Sequence, residues 1–199
     1  KIASFCKKLG VKFIYPSSCS VYGAASNSSL LDETMKTNPK TPYSLNKLQV
    51  ENELLKLADD SFTPIALRLS TIYGMSPRIR FDCVINMLCG LAFTTKKVIL
   101  NSNGEAWRPH LHIEDVCQSF LRCLDWNPNK GELIILNVGQ NEDNYQVIDI
   151  AKTKYVLNFA YLYHMKSRLN FRANVALASI SGDDAKTLEF YRNNRNLNF

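Results

Sequence analysis

The chain has 199 residues, 46% apolar and 21% charged, which suits one domain with a substantial core or two small ones. Its net charge of +6 is spread thinly, densest at Lys7–Lys8 and Lys96–Lys97, so it forms no nucleic-acid arm. A solvated basic surface or an anionic small-molecule ligand accounts for it.

The first ten residues read as an amphipathic helix with Ile2, Phe5, Cys6 and Leu9 on one face and Gly10 as its C-cap. A chain that opens inside a helix, at Lys1 and not at methionine, is expected to be a fragment. "VKFIYPSS" then reads as a buried strand, and the polar stretch from Tyr22 to Pro42 as a loop. A helix follows from about Tyr43, with Leu45, Leu48, Val50, Leu54, Leu55 and Leu57 as a wide apolar face. "PIALRLS" is a second buried strand, "STIYGMSPRIR" a loop, "FDCVINMLCGLAF" a helix and "KVIL" a short strand. "EDVCQSFLRCLD" reads as a helix with Glu114 and Asp115 at its positive end, and "ELIILNVG" as a third buried strand. "YQVIDIAKTKYVLNFAYLYHM" has a helical pattern, and the last residues give no assignment.

Strands alternating with helices predict an α/β protein whose parallel sheet carries helices on both faces. Such sheets bind ligands at the C-terminal ends of their strands. Here those ends are Ser17–Ser18, Ser70–Thr71 and Asn137–Gly139, polar residues directly after apolar runs. The expected organisation is a partial Rossmann-type domain over residues 1–151 and a helical tail over residues 152–199.

The six cysteines include no C-x-x-C pair and mostly lie in apolar segments, which favours a reducing, cytoplasmic compartment over a disulfide framework. Asn27-Ser28-Ser29 matches a glycosylation sequon, but no secretory signal accompanies it. No apolar run approaches the roughly 18 residues that span a bilayer. His110 and His112 alternate as on a strand, with no third ligand at metal spacing, so no metal site is expected.

Tyr43 and Lys47 stand four residues apart, on one helical face. A positive charge beside a phenol favours the phenolate, which would make Tyr43 a general base and then a general acid. A hydroxyl at the end of "YPSS" could hydrogen-bond the oxygen that Tyr43 deprotonates. The alternatives are a helix N-terminal aromatic and a serine-rich turn. Arg78 and Arg80 either meet an anionic substrate or lie in a solvated loop.

Taken in order, strand-"PSSCSVYG", "PYSLNK" opening a helix, strand-"LRLSTIYG", "WRPHLHIEDV" and "LNVG" resemble the extended short-chain dehydrogenase/reductase family, the NAD-dependent sugar-nucleotide epimerases and dehydratases. The resemblance runs from Lys1 to about Ala151. By position it implies Ser18 as the catalytic Ser/Thr, Tyr43 as the acid/base and Lys47 as its partner and a ligand of the nicotinamide ribose. Ser17 and Ser70 would lie on the cofactor side, and Thr71, Arg108, Arg78 and Arg80 on the substrate side, with Arg108 at the nucleotide phosphates. The implied cofactor is NAD, with NADP as the alternative. The implied partners are a nucleotide sugar and a second copy, as a homodimer of the full-length form.

Some features depart from the family pattern. The G-x-x-G-x-x-G turn that cradles a dinucleotide pyrophosphate is absent, so the chain alone is expected to be inactive, to bind NAD weakly and to expose an open sheet edge. Thr71 replaces a frequent Asn and Pro109 a frequent Asp. Cys19-Ser20 replaces the Asp-Glu pair of dTDP-glucose 4,6-dehydratases, which argues against that elimination chemistry. The reading is thus an epimerase or related redox enzyme of nucleotide sugars. The alternatives are a keto-sugar reductase of the same fold and a non-catalytic binding protein that kept the signature.

Overall fold

The computed structural model describes residues 1–23, 31–74, 76, 78–95, 97–128, 131–139 and 144–152. The sequon at Asn27 and the tail beyond 152 lie outside them. The chain divides into two compact units, residues 1–73 with 106–146, and residues 74–105 with 147–199.

The first unit opens with α1 (Ile2–Leu9) and β1 (Ile14–Ser18). After a short 3-10 turn (Cys19–Tyr22) come α2 (Pro42–Leu57), β2 (Ile65–Leu69) and β3 (Thr71–Tyr73). It resumes with β4 (Trp107–His112), α4 (Ile113–Asp125), β5 (Ile134–Val138) and β6 (Asn144–Gln146). The second unit holds α3 (Val84–Thr95) and α5 (Val147–Lys152), and the Ile148 N–H of α5 donates to the Gly104 carbonyl at 2.9 Å.

Strands β1, β2 and β5 form a parallel sheet with β2 central, in the register Ser17–Arg68–Asn137 and Ser18–Leu69–Val138. Every residue of β2 is buried, as a strand covered on both faces requires. Ile65, Leu67 and Leu69 face α4, where they join Leu111, Val116, Cys123 and Ile134 in the main core. Alternate side chains point to opposite faces, so Ala66 and Arg68 face α2. The expected α/β class, a Rossmann-type parallel sheet between helices, is what forms.

Two lysines close helix C-termini, where carbonyls lack intrahelical partners. Lys7 donates to the Leu57 carbonyl of α2 (2.8 Å) and pairs with Asp59 (2.5 Å). Lys12 donates to the carbonyls of Cys123, Leu124 and Trp126 at the end of α4. Gly10 ends α1 at φ 64°, a left-handed conformation that suits glycine.

Local expectations fail at several points. Only Ala3 of α1 is buried; Ile2, Phe5 and Leu9 are exposed, because α1 meets α2 through its other side. The wide apolar face expected of α2 packs only in part: Leu54 is buried and Leu48, Val50 and Leu57 half-buried, but Leu45 and Leu55 are exposed, and Ser44 and Glu51 are buried instead. "KVIL" forms no strand and pairs with none among the described residues. "STIYG", expected as loop, contains β3, which pairs in parallel with β4, while β6 pairs antiparallel to β4. The helical pattern expected from Tyr145 begins instead at Val147, after β6.

Candidate active site

Helix α2 begins where it does for a local reason. The Thr41 hydroxyl accepts from the Ser44 N–H (3.2 Å), and the Ser44 hydroxyl accepts from the Thr41 N–H (3.0 Å). This reciprocal capping box satisfies two donors left free at a helix start. Pro42, at the first helical position, has no N–H to satisfy there and a φ already suited to a helix. Tyr43 is thereby fixed in the first turn, 56% exposed, with Lys47 one turn on.

Lys47 reaches the sheet. Its ammonium donates to the Pro16 carbonyl of β1 (2.5 Å) and lies 4.9 Å from the centroid of the Tyr15 ring and 5.5 Å from that of Tyr43. Both distances are within cation–π range. Desolvation lowers the Lys47 pKa, and burial raises that of the Tyr15 phenol, aided by nearby Tyr43 and Glu51. Pro16 lies on the outer edge of β1. The Phe13 carbonyl bonds the Ile65 N–H, so alternate carbonyls face β2 and the Pro16 carbonyl points away.

The neighbouring serines have different surroundings. Ser18 ends β1, and its hydroxyl accepts from the Ser20 N–H (3.2 Å), capping the 3-10 turn. Ser17 faces α2, is buried, and donates to Glu51 Oε1 (2.5 Å). Ser70 is buried at the end of β2, where its N–H bonds the Val138 carbonyl (3.0 Å). A Cβ on Gly139 would come within 2.4 Å of the Ser70 hydroxyl, so a glycine is what this approach of β5 to β2 admits.

The substrate-side candidates fall in both units. Thr71 pairs with His110 in the second sheet. Arg108 is exposed on β4 and donates to the Trp107 carbonyl (2.8 Å). Arg78 and Arg80 belong to the second unit, where Arg78 is exposed and Arg80 is paired with Asp82 (2.6 Å). Among the described residues no cluster of His, Cys, Asp or Glu could hold a metal ion, and no helix is long and apolar enough to cross a membrane. All six cysteines are free.

Beneath the serines lies a polar network that motif reading missed. Glu51 accepts from Arg68 Nη2 (2.7 Å) and Nε (3.1 Å), with side-chain exposures of 2% and 4%. Arg68 Nη1 donates to the Tyr22 hydroxyl (2.8 Å), which donates to Asn137 Oδ1 (2.8 Å). Asn137 in turn donates to the Leu31 carbonyl (3.1 Å), and its N–H is taken by Glu33 (2.6 Å). Burial pulls Arg68 toward losing its proton, but Glu51 and Tyr22 more than offset this and its pKa is raised. Burial likewise raises Tyr22, against the lowering effect of Arg68. Two signals for this network stood in the sequence: an arginine inside an apolar strand, and a glutamate one helical turn after Lys47.

This is a Rossmann-type sheet with hydroxyls at its strand ends and a phenol and an ammonium on the helix α2 packed against β1. The chain belongs to the NAD dependent epimerase/dehydratase family, whose sequence pattern matches residues 1–139. It is 26% identical over 160 residues to the UDP-glucose 4-epimerase of Mycoplasma genitalium, covering 71% of this chain and 47% of that protein. Among solved structures it is similar to MoeE5 in complex with UDP-glucuronic acid and NAD, with 25% identity and a TM-score of 0.67, covering 82% of this chain and 52% of that one. The fold is also that of a Bacillus anthracis dTDP-glucose 4,6-dehydratase in complex with NAD, with 24% identity, a TM-score of 0.68, and 78% and 49% coverage. The chain thus spans about half the length of the relatives it matches.

Proposed function

We propose that this chain carries the acid–base machinery of an NAD-dependent epimerase of nucleotide-activated sugars, with Ser18, Tyr43 and Lys47 as its reacting groups. One observation carries the reading. Lys47 sits beside the Tyr43 ring and against β1, two residues before Ser18.

In this mechanism Tyr43 withdraws the proton from a sugar hydroxyl and later returns it. The Lys47 ammonium would stabilise the phenolate form that takes the proton and that re-forms when the proton is returned. Ser18 hydrogen-bonds the same sugar oxygen and orients it. NAD, when bound, supplies the acceptor for the hydride on the adjoining carbon. Its nicotinamide ribose suits Lys47, since an ammonium has three donors and Pro16 takes one, and the Ser70 side lies at the same strand ends.

Arg108 is the group we assign to the nucleotide phosphates, because it is exposed and has no carboxylate partner among the described residues, whereas Asp82 neutralises Arg80. The free thiols support a cytoplasmic setting. The exposed Ile2, Phe5 and Leu9 of α1 and Leu45 and Leu55 of α2 support pairing of two copies.

The test is Tyr43→Phe in the full-length protein. Turnover of UDP-glucose should fall by roughly 10²–10⁴-fold while UDP-glucose binding changes little. Unchanged turnover would return Tyr43 to an ordinary helix-start aromatic.

A further inference from the structure

The fully buried residues of α2 are Ser44, Glu51 and Leu54, of which only Leu54 is apolar; Lys47, Leu48, Val50 and Leu57 are half-buried. Apolar burial is non-directional, so one buried leucine and three half-buried apolar side chains do little to fix the rotation or slide of a 16-residue helix. Direction comes from polar groups. The Glu51 carboxylate is held from two strands at once, by Ser17 of β1 and by the Arg68 fork of β2. Arg68 is itself held by Tyr22, whose ring lies 4.9 Å from the guanidinium carbon. Glu51 follows Lys47 by one turn and Tyr43 by two, on the same face.

We propose that the buried Glu51–Arg68 pair is a positioning device that sets the register of α2 on the sheet and so holds the Lys47 ammonium against Pro16 and beside Tyr43. Its functional meaning rests on the Ser18–Tyr43–Lys47 reading above, but the placement does not. A pair kept for stability alone has little advantage, since well-packed apolar groups of similar volume often serve as well or better. What the guanidinium fork adds is fixed geometry.

Competitive acetylation with limiting acetic anhydride, read by mass spectrometry, compares Lys47 with the exposed Lys36. In the unaltered protein the bond to Pro16 should slow Lys47 by roughly three- to tenfold relative to Lys36. In the double variant Glu51→Leu, Arg68→Met, shown by circular dichroism to be folded, that protection should fall to within about twofold of Lys36. Protection retained in the folded double variant overturns the proposal, as does its absence in the unaltered protein. If the double variant does not fold, Glu51→Asp keeps the charge but withdraws the carboxylate by one methylene. The same loss of protection is expected there, and unchanged protection again overturns the proposal. A pair with a merely structural role would shift the melting temperature and leave Lys47 protected in whatever remains folded. Turnover is not part of the readout, so this result and the catalytic reading can fail separately.

Discussion

Arg68→Met removes a charge from the middle of an apolar strand, and the consequence falls on Glu51. The carboxylate, 2% exposed, loses both bonds from the guanidinium and keeps only the Ser17 hydroxyl. The Tyr22 hydroxyl loses its donor as well. Removing one partner of a buried pair costs about 3–5 kcal/mol, because the remaining charge stays desolvated. That is a large part of the 5–15 kcal/mol or so by which a domain is stable. With a urea slope of about 2 kcal/mol per molar, the unfolding midpoint should drop by roughly 1.5–2.5 M. Urea titration followed by far-ultraviolet circular dichroism measures it. Adding Glu51→Leu to the variant should recover most of the loss, and the double-mutant cycle then gives the coupling directly. A loss below about 1 kcal/mol would show that Glu51 is solvated after all, since exposed pairs contribute no more than that.

Two further outcomes follow from local geometry. Gly23→Ala should cost roughly 1–3 kcal/mol, because φ 79° and ψ −151° suit only glycine. A Cβ there would also meet the Asn38 carbonyl at 2.2 Å and disturb the Asn38–Val21 bond; an unchanged melting temperature would refute this. The hydrogen bond from Lys7, with that from Ser61, lowers the Asp59 pKa from 3.8 to about 2. A carboxylate depressed on folding contributes stability that is present above the unfolded pKa of 3.8 and is lost as pH falls toward about 2. Asp59→Asn should flatten that acid limb of the stability curve, and parallel curves for the two proteins would count against the pair.

Much of the frame was legible because its signals were local. "VKFIYPSS", "PIALRLS" and "ELIILNVG" gave the three parallel strands through their apolar runs, and Thr41-Pro42 marked the start of α2 through its capping chemistry. The seat of α2 was not legible, because hydrophobic periodicity treats Ser44, Lys47 and Glu51 as surface while three of the leucines and the valine draw attention elsewhere. Ser44 is satisfied by Thr41 in the capping box, and Glu51 is inside only because Ser17 and Arg68 on the strands hold it; partnership across 34 and 17 residues leaves no periodic trace. The pairing of "TIY" with "PHLH" was hidden for the same reason, as was the lack of a partner for "KVIL". Arg68 was the readable exception. A charge in an otherwise apolar strand announces a buried counter-charge, and the remaining task was to look one turn beyond Lys47 for it.

The placement of Lys47 on Pro16 links two processes that would otherwise be independent. Proline has no N–H, so at this point the outer edge of β1 offers only an acceptor, and Lys47 occupies it. A strand that adds to this edge competes with the ammonium for the same carbonyl lone pairs. By reciprocity, whatever draws Lys47 away from Pro16 favours strand addition, and strand addition frees Lys47, by the same free energy. Edge occupancy and the charge presented to Tyr43 are therefore thermodynamically coupled through one carbonyl oxygen.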